Sequence, residues 1–200
     1  ARQAGLPPGV LNLVQGLGLL FGDVRLAQAF STLPLGLLLL GLAGASQWLL
    51  GARFWDLLAG ALLWLGTPVS QTWGAAYVDN GLGLFCWAAA LALALAAPTA
   101  PGARWRRGWV AAAALLAATA AGTKYFGAVF AVLLGMVLLP SLRRRDPALP
   151  LYAALGVLLG SAWYVRAFWI SGDPLHPAGG AIFGHFLWTA DDLVNQQAEQ

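Results

Sequence analysis

The chain has 200 residues, of which 60% are hydrophobic and only 10% charged, and its mean hydropathy is +0.71. That balance excludes a single water-soluble core, because too little polar surface is available to cover the apolar side chains, so lipid must be part of the solvent. The formal charge of +3 does not point to nucleic acid, since the basic residues sit in short clusters between apolar runs, where they set membrane orientation.

A span needs about 20 mainly apolar residues, and stretches of that order, rich in Leu, Ala, Gly and Trp, recur between short polar breaks. Backbone groups in lipid must be satisfied within the membrane, which runs of this composition achieve as helices and not as the alternating strands of a barrel. The predicted fold class is therefore all-α, a polytopic transmembrane helical bundle of about six spans behind an interfacial or re-entrant N-terminal helix. The single cysteine, Cys86, lies inside an apolar run and excludes an internal disulfide or a Cys-based metal site.

The opening Ala1 to Pro8 has neither a charged n-region nor a cleavage pattern, so no signal peptide is read there and the chain is expected to begin within a longer protein. Leu6 to Phe21 is broken by Pro7, Pro8 and glycines and is followed by Gly22-Asp23-Val24-Arg25, which suits an interfacial or re-entrant segment over residues 1–25. The predicted spans, within residues 26–170, are Leu26 to Leu50, Trp55 to Thr72, Gly81 to Ala97, Gly108 to Ala121, Tyr125 to Leu139 and Leu151 to Ile170. Pro68 ends or kinks the second. Only Gly122-Thr123-Lys124 separates the fourth from the fifth, which predicts a tight hairpin. Residues 171–200 read as an outer loop and the start of a further segment. Gly156 and Gly160 form a GxxxG that lets another helix approach closely.

Arg53, the group Arg104, Arg106 and Arg107, and the run Arg143 to Arg145 alternate with breaks that lack such clusters, which places the arginine-bearing breaks on the cytoplasmic side, and the run Arg143 to Arg145 is read as a topology signal and not as a lipid-phosphate site. Tryptophan follows the same division. Trp48, Trp55, Trp105 and Trp109 fall near the inner interface, and Trp73, Trp163, Trp169 and Trp188 near the outer, with Trp64 and Trp87 as mid-span exceptions.

With that orientation Asp79, Asn80, Lys124, Arg166, Asp173 and His176 all fall at or beyond outer helix ends, where they could converge on one site. Each has a plain structural explanation beside the functional one. Asp79 is either the N-cap of the third span or a site carboxylate. Lys124 either snorkels to the headgroups or binds a phosphate at the hairpin tip. Arg166 sits about one turn inside the outer end of its helix, where a guanidinium either snorkels or grips phosphate with two hydrogen bonds. Gly172-Asp173-Pro174-Leu175-His176-Pro177 is turn chemistry first, and a lone His in it is not read as a metal ligand. Asp191-Asp192, after Thr189, reads as a helix start and not as an acidic metal pair.

These residues in this order resemble the GT-C superfamily of membrane glycosyltransferases, in particular the branch of dolichyl-phosphate-mannose-protein mannosyltransferases and aminoarabinose transferase-like enzymes. The resemblance rests on Leu6-Pro7-Pro8 before the re-entrant segment, Ala76-Tyr77-Val78-Asp79, Gly122-Thr123-Lys124-Tyr125, and Tyr164-Val165-Arg166 followed by Gly172 to Pro177. It implies transfer of a sugar from a polyprenyl-phosphate donor to a protein, lipid or glycan acceptor at the outer face of the membrane; the Ala, Gly, Leu and Arg bias is compatible with a high-GC bacterium, so that membrane is expected to be a bacterial inner membrane. On that reading Asp79 is catalytic, orienting the acceptor or a divalent cation, and no other cofactor or metal site is implied. Lys124 and Arg166 stabilise the departing phosphate, and Tyr125, Asn80, Asp173 and His176 complete the substrate set. The general base is expected in an outer loop upstream of Leu6, so this stretch alone is predicted to lack activity. Ala167 and Asp173 depart from the family's pattern, which often carries Asn at both places. The rival reading is a transporter or permease in which the same charges line a path, and a non-catalytic scaffold ranks behind it.

Overall fold

Leu/Ala-rich runs with few β-branched residues lose little rotamer freedom in a helix, and every regular element among the described residues is helical. The computed structural model describes residues 16, 20, 21, 24–51, 53, 55, 79–98, 100, 103–176 and 179–184. The helices are α1 Val24–Leu50, α2 Asp79–Ala96, α3 Arg104–Ala121, α4 Tyr125–Val137, α5 Leu139–Arg143, α6 Ala148–Gly160, α7 Ala162–Ser171 and α8 Gly180–Phe183. The expected span Trp55 to Thr72, with Pro68, lies outside the described residues apart from its first position, as do Leu6-Pro7-Pro8 and Asp191-Asp192.

Helix α3 is the centre of the bundle, packed against α2, α4 and α6. Its composition explains the position. Six of its seven buried residues are alanines (Ala113, Ala114, Ala117, Ala118, Ala120 and Ala121), with Val110 the seventh, and small side chains on more than one face let several helices approach closely. The core continues through Ala89, Ala92, Leu93 and Ala96 of α2 and Tyr152 of α6. Helix α1 adds the stripe Leu35, Leu39 and Ala43 and packs on α2.

The contacts fix the helix directions. Gly83 approaches Leu38 while Gly41 approaches Trp87, so α1 and α2 run parallel. The hairpin at 122–124 makes α3 and α4 antiparallel, and Gly160 against Ala118 and Ala121, with Asp146 against Arg106, makes α3 and α6 parallel. Asp79, Lys124 and His176 therefore share one end of the bundle, and Arg106 and Arg143–Arg145 the other.

Several expected boundaries move. The expected span Gly108 to Ala121 begins earlier, as α3, and takes in Arg104, Arg106 and Arg107. The run Tyr125 to Leu139 breaks at Leu138 because Pro140, in the first turn of α5, has no N–H to continue the ladder. The last expected span divides at Gly160-Ser161 into α6 and α7, a Gly/Ser pair being a common site of helix kinks. Among the described residues three stretches are long and apolar enough to cross a membrane, Asp79–Ala96, Tyr125–Arg143 and Ala148–Ser171.

Candidate functional site

The hairpin brings the first contact together. Backbone N–H groups of Gly122, Thr123 and Lys124 bond to carbonyls of Ala118 and Ala120, closing α3 so tightly that α4 begins at once. Gly127 then lies directly on the α3 backbone, where a Cβ would meet the Ala120 carbonyl and stand 2.7 Å from the Ala121 nitrogen. This close approach holds Lys124 at the bundle end, and its ammonium donates to Asp79 Oδ1 at 2.5 Å. Asp79 sits in the first turn of α2, where a carboxylate also complements the helix dipole. Both side chains remain substantially exposed, 40% for Lys124 and 51% for Asp79. A pair so wet is worth about 0.2–1 kcal/mol, and an incoming anion can open it.

Beside the pair, the Tyr125 hydroxyl donates to the His176 carbonyl, and the Tyr125 ring lies 6.5 Å from that of Tyr164. Tyr164 in turn donates to the Ala121 carbonyl at 2.8 Å, joining α7 to the end of α3. The loop held by Tyr125 is built as its sequence implies. Gly172 closes α7 with φ of 72°, a conformation that favours glycine. Asp173 Oδ1 accepts from the Leu175 N–H at 2.7 Å, an Asx-turn. Asp173 is fully buried, His176 is buried as well, and Oδ2 of Asp173 has no hydrogen-bond partner among the described residues.

The predicted residues therefore gather as linked parts. Asp79 joins Lys124, and Tyr125 joins the loop that carries Asp173 and His176. Asn80 is half-buried in the first turn of α2 beside Asp79. Arg166 is exposed and places its guanidinium carbon 5.8 Å from the centroid of the Trp163 ring, a cation–π contact one turn back along α7. No three His, Cys, Asp or Glu side chains form a metal-binding group among the described residues.

An apolar groove of about 460 Å³ runs between α4 and α6 over the alanines of α3. It is lined by Ala128, Ala131, Gly135, Met136 and Gly156 among others, and ends at Ser161 and Tyr164. Its far end thus abuts the Tyr125–Tyr164 pair.

Sequence reasoning missed the one buried ion pair among the described residues. Arg106 Nε donates to Asp146 Oδ2 at 2.7 Å, with side chains 13% and 2% exposed, and Nη1 donates to the Ala96 carbonyl at 2.6 Å. Asp146 Oδ1 accepts from the Ala148 N–H. A basic residue in the first turn of α3 opposes that helix's own dipole; here it serves the carbonyl end of α2 and the start of α6. The readable signal was Asp146-Pro147, a common helix opening.

No family model matches the chain, and no solved structure matches it. Two proteins of Shigella flexneri are similar to parts of it. Uncharacterized protein SF2092/S2214 is 58% identical over 58 residues, 29% of this chain and 32% of that protein. Uncharacterized protein SF2093/S2215 is 35% identical over 79 residues, 40% of each. The matches thus reach only 32% and 40% of these curated relatives' lengths.

Proposed function

We propose that the parent protein is a multi-pass membrane glycosyltransferase of the GT-C kind. It moves a sugar from a polyprenyl-phosphate donor to a protein, lipid or glycan acceptor at the non-cytoplasmic face of a bacterial inner membrane. The observation that carries this reading is the exposed Lys124–Asp79 pair at the same bundle end as the apolar groove's Tyr164 terminus. Transfer from a lipid phosphate needs a cation at the membrane surface and an apolar berth behind it.

The geometry supports such chemistry. As the sugar–phosphate bond breaks, negative charge builds on the departing phosphate. A fixed ammonium near it lowers the barrier most where water is partly excluded. Lys124 supplies that charge, and Asp79 holds the side chain extended until the phosphate displaces its carboxylate. Asp79 is then released to orient the acceptor. Tyr125, by holding the His176 loop, keeps Asp173 and His176 beside the reacting end. Arg166, exposed on α7, adds a second cation, a guanidinium, to the approach. Placing the arginine clusters inside agrees with this orientation. A permeation path is the poorer fit, because the groove is lined almost wholly by apolar side chains.

The test is polyprenyl-phosphate-sugar transfer by the full-length parent, comparing wild type with Asp79→Asn, Lys124→Ala and Arg166→Ala at matched expression. Loss of one oriented charge at such a site lowers turnover by about 10²–10³-fold, and this is expected for Lys124→Ala. Undiminished transfer by all three variants would return these residues to capping and snorkelling. No transfer by wild type with any polyprenyl donor would favour the transporter.

A further inference from the structure

The end of the bundle opposite Lys124 carries a charge pattern that the transfer reading uses only for orientation. Arg104, Arg107, Arg143, Arg144 and Arg145 are all exposed there, and none makes an ion pair among the described residues. The two groups, nearly 40 positions apart in the chain, meet because Arg106 and Asp146 pair at 2.7 Å between them. That pair also consumes Asp146, the one acidic side chain at this end among the described residues. Exposed indoles flank the cluster, Trp105 at 78% and Trp109 at 39%, side chains suited to the headgroup layer.

The backbone singles out Arg145. The Asp146 N–H bonds to the Ser141 carbonyl and the Arg145 N–H to the Leu142 carbonyl, the paired bonds of a Schellman helix end. In that motif the residue before the last donor is left-handed and is usually glycine. Here it is Arg145, with φ of 52°, the only non-glycine residue with positive φ among those described. A glycine would close the same turn without strain, so the arginine holds this position at a conformational cost.

We infer that this arginine end is a binding site for the headgroups of anionic phospholipids in the adjoining leaflet. Guanidinium groups grip phosphate oxygens with paired, charge-assisted hydrogen bonds, and clustered basic residues just outside membrane helices attract anionic lipid. The left-handed turn at Arg145 sends Asp146 inward to Arg106 and leaves the three arginines before it outward, so one backbone feature separates the structural ion pair from the lipid-facing charges. The site lies at the far end of the molecule from Lys124 and stands or falls independently of sugar transfer.

Arg145→Gly separates binding from folding, because glycine suits the turn and removes only the side chain. The full chain would be reconstituted in nanodiscs of phosphatidylglycerol and phosphatidylcholine, and its retained lipids counted by native mass spectrometry. Wild type is expected to retain phosphatidylglycerol in preference to phosphatidylcholine. Arg145→Gly should retain about fivefold less of it, and Arg144→Gln with Arg145→Gly less again, while the melting temperature of Arg145→Gly holds or rises. Wild type that retains the two lipids equally would overturn the site, as would Arg145→Gly that retains phosphatidylglycerol like wild type.

Discussion

Individual residues show where sequence reasoning reached and where it stopped. Lys124 was legible because a lone cation between two apolar runs has few places to go, and its partner Asp79 because it opens a helix at the same end. Asp146 was not. Its partner is 40 positions away, and nothing local distinguishes Arg106, which turns inward to 13% exposure, from the exposed Arg104 and Arg107 that flank it. Burial makes Arg106–Asp146 the consequential pair: removing one partner of a buried ion pair leaves an uncompensated charge, whereas replacing both can be nearly neutral. Asp146→Asn is therefore expected to destabilise by about 3 kcal/mol, near the low end of the usual range because Arg106 keeps the Ala96 carbonyl. The double variant Arg106→Met, Asp146→Leu should recover most of that loss. Thermal unfolding in detergent checks both, and equal stability of Asp146→Asn and wild type would show the pair to be ornamental.

At the level of helices, small residues decide how close neighbours come. The hairpin at Gly122-Thr123-Lys124 was readable from its length, but the need for glycine at Gly127 was not, since only the folded pairing puts its α-hydrogens against the α3 backbone. Trp87, an exception to the interfacial pattern, is likewise explained by Gly41, where a Cβ would come within 2.6 Å of the indole. The GxxxG pair divides: Gly160 meets Ala118 and Ala121, while Gly156 has open space beside it and lines the groove. Of these sites Gly127 has the least freedom, because its neighbour is backbone, which cannot rotate away as a side chain can. Gly127→Ala should push α4 off α3 at a cost of about 3 kcal/mol and lengthen the Lys124–Asp79 contact. The readouts are the melting temperature and a spin-label distance between α2 and α4. A normal melting temperature with an unchanged distance would refute the close approach.

Across the whole molecule, charge in the sequence and packing in the fold divide the same residues between two ends. The arginine clusters divide the sequence breaks into two sets, and the contacts independently gather Arg106 and Asp146 at one bundle end and Lys124, Asp79 and His176 at the other. Helices α1 and α2 run parallel, as alternation with one crossing between them requires, although the expected crossing at Trp55 to Thr72 lies almost wholly outside the described residues. If the ends face opposite sides of a membrane, reagents that cannot cross it must distinguish them. The lone cysteine makes this measurable: in a Cys86→Ser background, Ala100→Cys marks an exposed position between α2 and α3, and Leu175→Cys marks an exposed position in the loop held by Tyr125. Because arginine-rich breaks are retained on the cytoplasmic side, an impermeant maleimide should label Ala100→Cys only in inside-out vesicles and Leu175→Cys only in right-side-out ones. Labelling of both from one side would mean that the bundle lies along the membrane instead of across it, and the site at Lys124 would then face the same compartment as the arginines.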